Sequence, residues 1–352
     1  MSGPSPVELL QELVEIESPT GDTAEIQACM EQALAAAGAE VERRGAHLRA
    51  DVPGEEAPLL LLGHMDTVWP RGTLSRLPFR VEDGRAFGPA TFDMKGGLVV
   101  LLEALHRADT RHALRIVVNA DEEIGSVGSR DVLEEAATGA LAALVLEGPT
   151  HIGGHLKTAR KGIGRFRLTV CGKAAHASTP AEGVSAIHEL AHQIICLYGL
   201  QGDGVTVSVG TVEGGTRENV VAAEAEAIVD IRIPRLADRD RMDETLRALR
   251  PALEGAELEL TGVWTRPPLE RSPGSSALFA AAREYGRGLG LELEERSASG
   301  GSDGNLVGHL CPVLDGLGAE GAGAHSDDEH VLVDSLEVRA ELLARLLAEP
   351  GL

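Results

Sequence analysis

The feature that most constrains this 352-residue chain is a repeated switch from unbroken apolar runs to histidines and carboxylates. Leu59 to Leu62 carries no polar residue, yet the following Gly63 leads straight to His64 and, two residues on, Asp66. The segment "LRIVVNADEE" ends in Asp121, Glu122 and Glu123, and "LAALVLEGP" ends in Glu147. A strand that is apolar on both faces must be covered on both, as in a parallel sheet sheathed by helices. The carboxyl ends of such strands open into the ligand crevice. These polar ends therefore predict a site. Period-two geometry lets His64 and Asp66 point the same way, so that the aspartate orients the imidazole while the other ring nitrogen binds a metal.

The surrounding periodicities give the architecture. Helical spacing covers Val7 to Ile16, then Ile26, Met30 and Leu34 up to a stop at Gly38. Pro58 to Gly63 reads as a buried strand, "FRVEDGRAFGP" as a hairpin about Asp83-Gly84, and Lys95–Ala108 and Ser126–Ala136 as helices. After about Lys161 the style changes. "GRFRLTVCGKAAHAS", "GVTVSVGTVEGG", "NVVAAEAEAIVDIRIP" and "AELELTGVW" read as strands, with helices over Gly183–Tyr198 and Leu236–Leu253. That β-α-β-β-α-β order describes an α+β sandwich with one polar sheet face. From Ser272 the first style resumes. The expected architecture is an α/β domain with a mainly parallel sheet over residues 1–160 and 270–352, interrupted by an inserted α+β domain over 161–269.

A formal charge of −23 repels phosphate backbones and anionic lipid, which argues against nucleic-acid and membrane partners. No apolar run approaches the ~20 residues that cross a bilayer. The opening stretch has acids within its apolar pattern and lacks the basic start of a signal peptide, so the expected location is cytoplasmic. Cys29, Cys171, Cys196 and Cys311 form no CxxC pair and read as buried small hydrophobes.

Two further segments join the strand ends. "GPATFDMKGG" sets Asp93 between a hairpin and a helix start, and "GAGAHSDDEH" sets His325 in a glycine-rich loop. Imidazole and carboxylate together suit hard-to-borderline cations. One Zn²⁺ would leave too many carboxylates uncompensated in one crevice. Two Zn²⁺ ions are balanced by Asp93, Glu123, Glu147 and a hydroxide, with His64 and His325 as neutral ligands and Glu122 free to act as a base. His188 and His192, four residues apart, read as helix surface.

The segments "HMDTV", "GPATFDMKGG", "NADEEIGSVGS", "LEGP", "GKAAHAS" and "GAHSDDEHV", in this order, resemble the di-zinc metallopeptidases. That family includes glutamate carboxypeptidase, aminoacylases, acetylornithine deacetylase and succinyl-diaminopimelate desuccinylase, and the stretch from His64 to Pro89 looks most like the bacterial glutamate carboxypeptidase branch. The resemblance implies that Asp93 bridges two zincs, one completed by His64 and Glu147 and the other by Glu123 and His325, with Co²⁺ or Mn²⁺ as possible substitutes. It implies that Asp66 hydrogen-bonds His64, that Glu122 is the general base, and that a cis peptide follows Asp93. The inserted domain resembles the family's lid and dimerisation domain, which implies a homodimer and a role for His176 in polarising the scissile carbonyl. Asn219 and Arg266 stand where that branch grips a substrate carboxylate, and Ser302 lies in the "GGSDGN" segment expected to cradle substrate. The implied activity is hydrolysis of an amide bond by a hydroxide attacking the carbonyl. It releases a C-terminal amino acid, such as Glu, from a peptide or an N-acyl amino acid. A biosynthetic deacylase is the alternative, and a non-catalytic amino-acid-binding scaffold is the rival of another class. Lys157, Arg160 and Lys161 form a basic approach that looks more like the deacylases than a strict glutamate carboxypeptidase.

Overall fold

The computed structural model describes residues 4–150 and 153–352. They cluster into two compact units, one of Met1–Ala159, Glu270–Ala298 and Ser302–Leu352, the other of Arg160–Leu269 and Ser299–Gly301. No described helix is long and apolar enough to cross a membrane.

The first unit begins with α1 (Pro6–Glu15), where Ser5 and Glu8 cap each other reciprocally, and α2 (Ala24–Ala36). An antiparallel ribbon of β1 (Glu40–Arg44) and β2 (His47–Val52) follows. Next comes β3 (Glu56–His64), in which Leu59, Leu60, Leu61 and Leu62 are fully buried. The hairpin at Asp83-Gly84 joins β4 (Arg80–Glu82) to β5 (Arg85–Phe87), with both turn residues at positive φ. Then come α3 (Gly96–Arg107), β6 (His112–Asn119), α4 (Arg130–Ala137), β7 (Ala142–Val145) and β8 (Leu156–Arg160). The helix expected from Ser126 starts only at Arg130. A 3-10 turn at Glu122–Ile124 ends in left-handed Gly125 and Ser126, and turns over 127–129 delay the helix.

The second unit contains β9 (Gly162–Cys171), α5 (Ala186–Tyr198), β10 (Thr206–Gly214), β11 (Glu224–Ile233), α6 (Leu236–Arg247) and β12 (Glu257–Arg266). Its antiparallel sheet runs β10-β11-β9-β12. β11 alternates cleanly, with Ala225, Ala227, Val229, Ile231 and Ile233 turned into the core. α6 stops short of Leu253 because Arg250 precedes Pro251, and a residue before proline avoids helical backbone. The cysteines depart from expectation: Cys311 is buried, but Cys29 is half-buried and Cys171 and Cys196 are exposed. Cys171 and Cys196 occupy outward positions at the end of β9 and on α5.

The first unit resumes with α7 (Pro273–Gly288), β13 (Glu295–Ala298), α8 (Gly304–Val307), β14 (Val313–Asp315), β15 (Gly321–Ala322), β16 (His330–Leu332) and α9 (Val333–Ala348). Its large sheet has eight described strands in the order β1-β2-β6-β3-β7-β14-β8-β13. The central strands β6, β3, β7 and β14 are parallel, while β2 and β8 join them antiparallel. α1, α3, α7 and α9 pack together in the apolar core of this unit. The first turn of α3 lies against a strand end so closely that a Cβ on Gly97 would collide with the Leu146 carbonyl. The "KGG" sequence permits that approach, and it brings Asp93 beside the carboxyl end of β7.

Candidate metal centre

His64 is the last residue of β3. Its Nδ1 lies 2.9 Å from the Asp66 carbonyl oxygen and 3.4 Å from the Asp66 carboxylate. Two acceptors on that side place a proton on Nδ1 and turn Nε2 inward. Nε2 stands 3.1 Å from Asp93 Oδ1 and 3.7 Å from Glu147 Oε1. Burial opposes charge on this ring, but Asp66 and Asp93 outweigh it and hold its pKa well above the usual imidazole range. A cation replacing the Nε2 proton would satisfy the same carboxylates.

Asp93 occupies the tight turn Thr91–Lys95 ahead of α3, and the Asp93–Met94 peptide is cis. Its second oxygen, Oδ2, lies 3.1 Å from His325 Nε2, so each carboxylate oxygen faces a different histidine. Burial resists ionisation of Asp93, yet His325 and His64 keep it well below the ordinary carboxylate range. His325 sits at φ 62°, a left-handed conformation, in a loop with Gly323 also at positive φ. Its Nε2 is 3.4 Å from Glu123 Oε2, and hydrogen bonds to Asp93 and Glu123 raise its pKa to about 10.

Asp66 does more than face His64. It is fully buried, its Oδ2 accepts Thr20 Oγ1 at 2.7 Å, and it accepts the backbone N–H groups of Glu122 (3.1 Å) and Glu123 (3.3 Å). One carboxylate therefore fixes both the imidazole and the turn that carries the acids. Ligand atoms of His64, Asp93 and Glu123 lie within 4.8 Å of one another, as do those of His64, Glu122 and Glu147. Glu123 Oε1 is buried with no hydrogen-bond partner among the described residues. An orphaned carboxylate oxygen amid imidazoles and further carboxylates fits a divalent cation, which would supply the missing partner.

Glu329 was not singled out by sequence. It is 2% exposed and accepts Ala90 N, Phe92 N and Asp93 N at 3.0 Å each and Trp69 Nε1 at 2.9 Å. These bonds template the loop that delivers Asp93. Burial nevertheless raises its pKa to about 7. In "HSDDEH" it looks like one more acid in a polar loop, and only its burial sets it apart from the exposed Asp327 and Asp328 beside it. Lys95 is also buried, donates to the Ile16 carbonyl at 2.7 Å, and is pushed down to about 7 by burial.

In the second unit, His176 is exposed, and its Nδ1 accepts from Ser178 N at 3.1 Å and pairs with Ser178 Oγ at 2.7 Å. The Asn219 carbonyl accepts Ala177 N at 3.0 Å, so the chain folds those two segments side by side. Arg266, at the end of β12, is only 4% exposed. In the first unit, Ser302 is fully buried, and its hydroxyl donates to Asp315 at 2.6 Å. Its side chain thus braces the loop. The basic approach expected from Lys157, Arg160 and Lys161 is corrected in part. Lys157 is buried in β8 and donates to the Gly148 carbonyl at 2.6 Å. Arg160, 5% exposed, donates to the carbonyls of Gly300 and Gly301.

With this geometry in view, known proteins give a consistent picture. The sequence model of peptidase family M20/M25/M40 matches residues 60–349. Carboxypeptidase G2 of Pseudomonas sp. (strain RS-16) is 31% identical, covering 99% of this chain and 90% of its own length. Succinyl-diaminopimelate desuccinylase of Halorhodospira halophila is 29% identical, covering 97% of this chain and 98% of its own length. In structure, aminopeptidase PepT from Bacillus cereus superposes with a TM-score of 0.86 at 23% identity, over 99% of this chain and 98% of that one.

Proposed function

The chain belongs to peptidase family M20/M25/M40, the hydrolases of peptide and related amide bonds; from that premise we propose that it is a two-metal enzyme releasing a C-terminal amino acid, glutamate among the candidates, from a small peptide or N-acyl amino acid. The observation that carries this reading is Asp93, with one carboxylate oxygen toward His64 and the other toward His325.

His64, Glu147 and Asp93 would hold one cation, and His325, Glu123 and Asp93 the other. Zn²⁺ suits this donor set, with Co²⁺ or Mn²⁺ as substitutes. When bound, such a pair polarises a carbonyl and lowers the pKa of water. Asp66 keeps the His64 ring in register and fixes the backbone of Glu122 and Glu123. Glu122 takes a proton from the attacking water and passes it to the leaving nitrogen as the C–N bond breaks, giving an amine and a carboxylate. His176, aimed by Ser178, is assigned to the scissile carbonyl. Arg266 and Asn219 are assigned to the substrate carboxylate, for which a guanidinium fork is suited. We also assign a homodimer. β10 is an edge strand of its sheet, and the backbone N–H and C=O groups along such an edge favour a partner strand. A cytoplasmic location is assigned with it.

The test is amine release by metal-loaded protein from C-terminal-Glu peptides, other dipeptides, and N-acetyl and N-succinyl amino acids, with Glu122→Ala as control. Release confined to carboxylate-bearing peptides and lost in the variant supports the carboxypeptidase reading. Release only from N-acyl diamino acids moves the enzyme to the deacylases, the reading favoured by the desuccinylase relative. Silence across the panel overturns both.

A further inference from the structure

The exposed side of α5 carries a second histidine pair, remote in sequence from every residue of the metal centre. His188 and His192 are both exposed, one helical turn apart, with ring centroids 4.9 Å from each other. The run His188-Glu189-Leu190-Ala191-His192 spells the spacing by which a helix can offer two imidazoles to one zinc, with the intervening glutamate as base.

The structure separates the two halves of that pattern. Glu189 is fully buried, and its carboxylate accepts Ala252 N (2.9 Å), Leu253 N (2.7 Å) and Gln193 Nε2 (2.7 Å). The acid is committed to anchoring α5 against the chain that follows α6. It cannot serve as a base on the opposite side of the helix. The imidazoles remain open. The anchor also clamps α5 between the two histidines, and Ser185 Oγ caps the helix by accepting His188 N at 3.2 Å. A helix held at these points presents both rings one turn apart on the same face, with less ordering left to binding.

The donor chemistry selects the ion. Paired imidazoles suit Cu²⁺, Zn²⁺ and Ni²⁺ and offer little to Mg²⁺ or Ca²⁺. His188 also lines an open cleft of about 910 Å³ with Glu218 and Glu254, which leaves room for water and carboxylate to complete a coordination sphere. The net charge of −23 draws cations toward the surface. We propose that His188 and His192 form a peripheral site for one borderline divalent transition-metal ion, Cu²⁺ ahead of Ni²⁺ and Zn²⁺, that binds without catalysing. The site stands independently of the function assigned to the metal centre.

The test is titration of zinc-loaded protein with Cu²⁺, followed by calorimetry and by electron paramagnetic resonance. Wild type, His188→Ala, His192→Ala and the double variant are compared, so that copper exchange at the main centre is common to all. The expected result is one more Cu²⁺ per chain in wild type than in the double variant, with hyperfine structure from two nitrogens. Either single variant should bind that ion about 10²-fold more weakly, since the second imidazole acts intramolecularly. Amide hydrolysis should be equal in all four proteins. Equal copper stoichiometry in wild type and the double variant overturns the proposal. So does a single variant that binds as tightly as wild type.

Discussion

Glu329 accepts the backbone N–H of Asp93 at 3.0 Å while its other oxygen accepts that of Ala90 at 3.0 Å, so a carboxylate from one loop shapes the turn that presents the central acid of the site. Glu329→Gln keeps the volume but turns one end into a donor that faces N–H groups. We expect metal retention against a chelator to fall about 10–100-fold, the scale on which outer partners support metal ligands. Unchanged retention in a folded Glu329→Gln protein would refute this role.

Asp93 and Glu122 should separate cleanly by metal content. Asp93→Ala is expected to lose both cations, because one carboxylate serves both histidines. Glu122→Gln should keep them and lose about 10²–10⁴-fold in kcat, as removal of a general base does. Metal analysis beside steady-state kinetics decides it. One cation retained by Asp93→Ala would indicate a single independent site.

The close approach of α3 to β7 makes Gly97 a packing-critical position. Gly97→Ala is expected to cost about 1–3 kcal/mol, the usual range for overpacking a tight contact. Urea unfolding measures it, and a neutral result would mean that the helix can slide outward freely.

Glu189 gives the second unit a pH dependence with a definite sign. Burial would raise its pKa, but Gln193 and the backbone of Ala252 and Leu253 outweigh this and hold it below the usual glutamate range. A carboxyl with a depressed folded pKa stabilises above its unfolded value, and that stability is lost as pH falls through the folded value. Glu189→Gln should therefore destabilise by about 2 kcal/mol at neutral pH, the scale of hydrogen bonds to a charged group. The gap should close on acidification. A gap that stays constant between neutral and strongly acidic pH would show that charge plays no part.

Part of this protein follows from local sequence alone. Leu59 to Leu62 is apolar at every position, which only a strand covered on both faces tolerates. Asp83-Gly84 has the backbone freedom that a tight hairpin demands. The acids and histidines at strand ends mark a crevice, because burial of the strands forces polarity to their ends. The rest needed tertiary structure. β1 and β2 have too little apolar contrast to announce themselves, and they join the sheet only because β6 offers an unpaired edge. Ser302 and Lys157 look available in sequence and are spent on Asp315 and the Gly148 carbonyl. Glu329 and Glu189 look like ordinary surface acids, yet each is buried where backbone N–H groups from a distant segment converge. A sequence names the hydrogen-bonding groups a residue carries, but which partners they meet depends on contacts formed only when remote segments pack together.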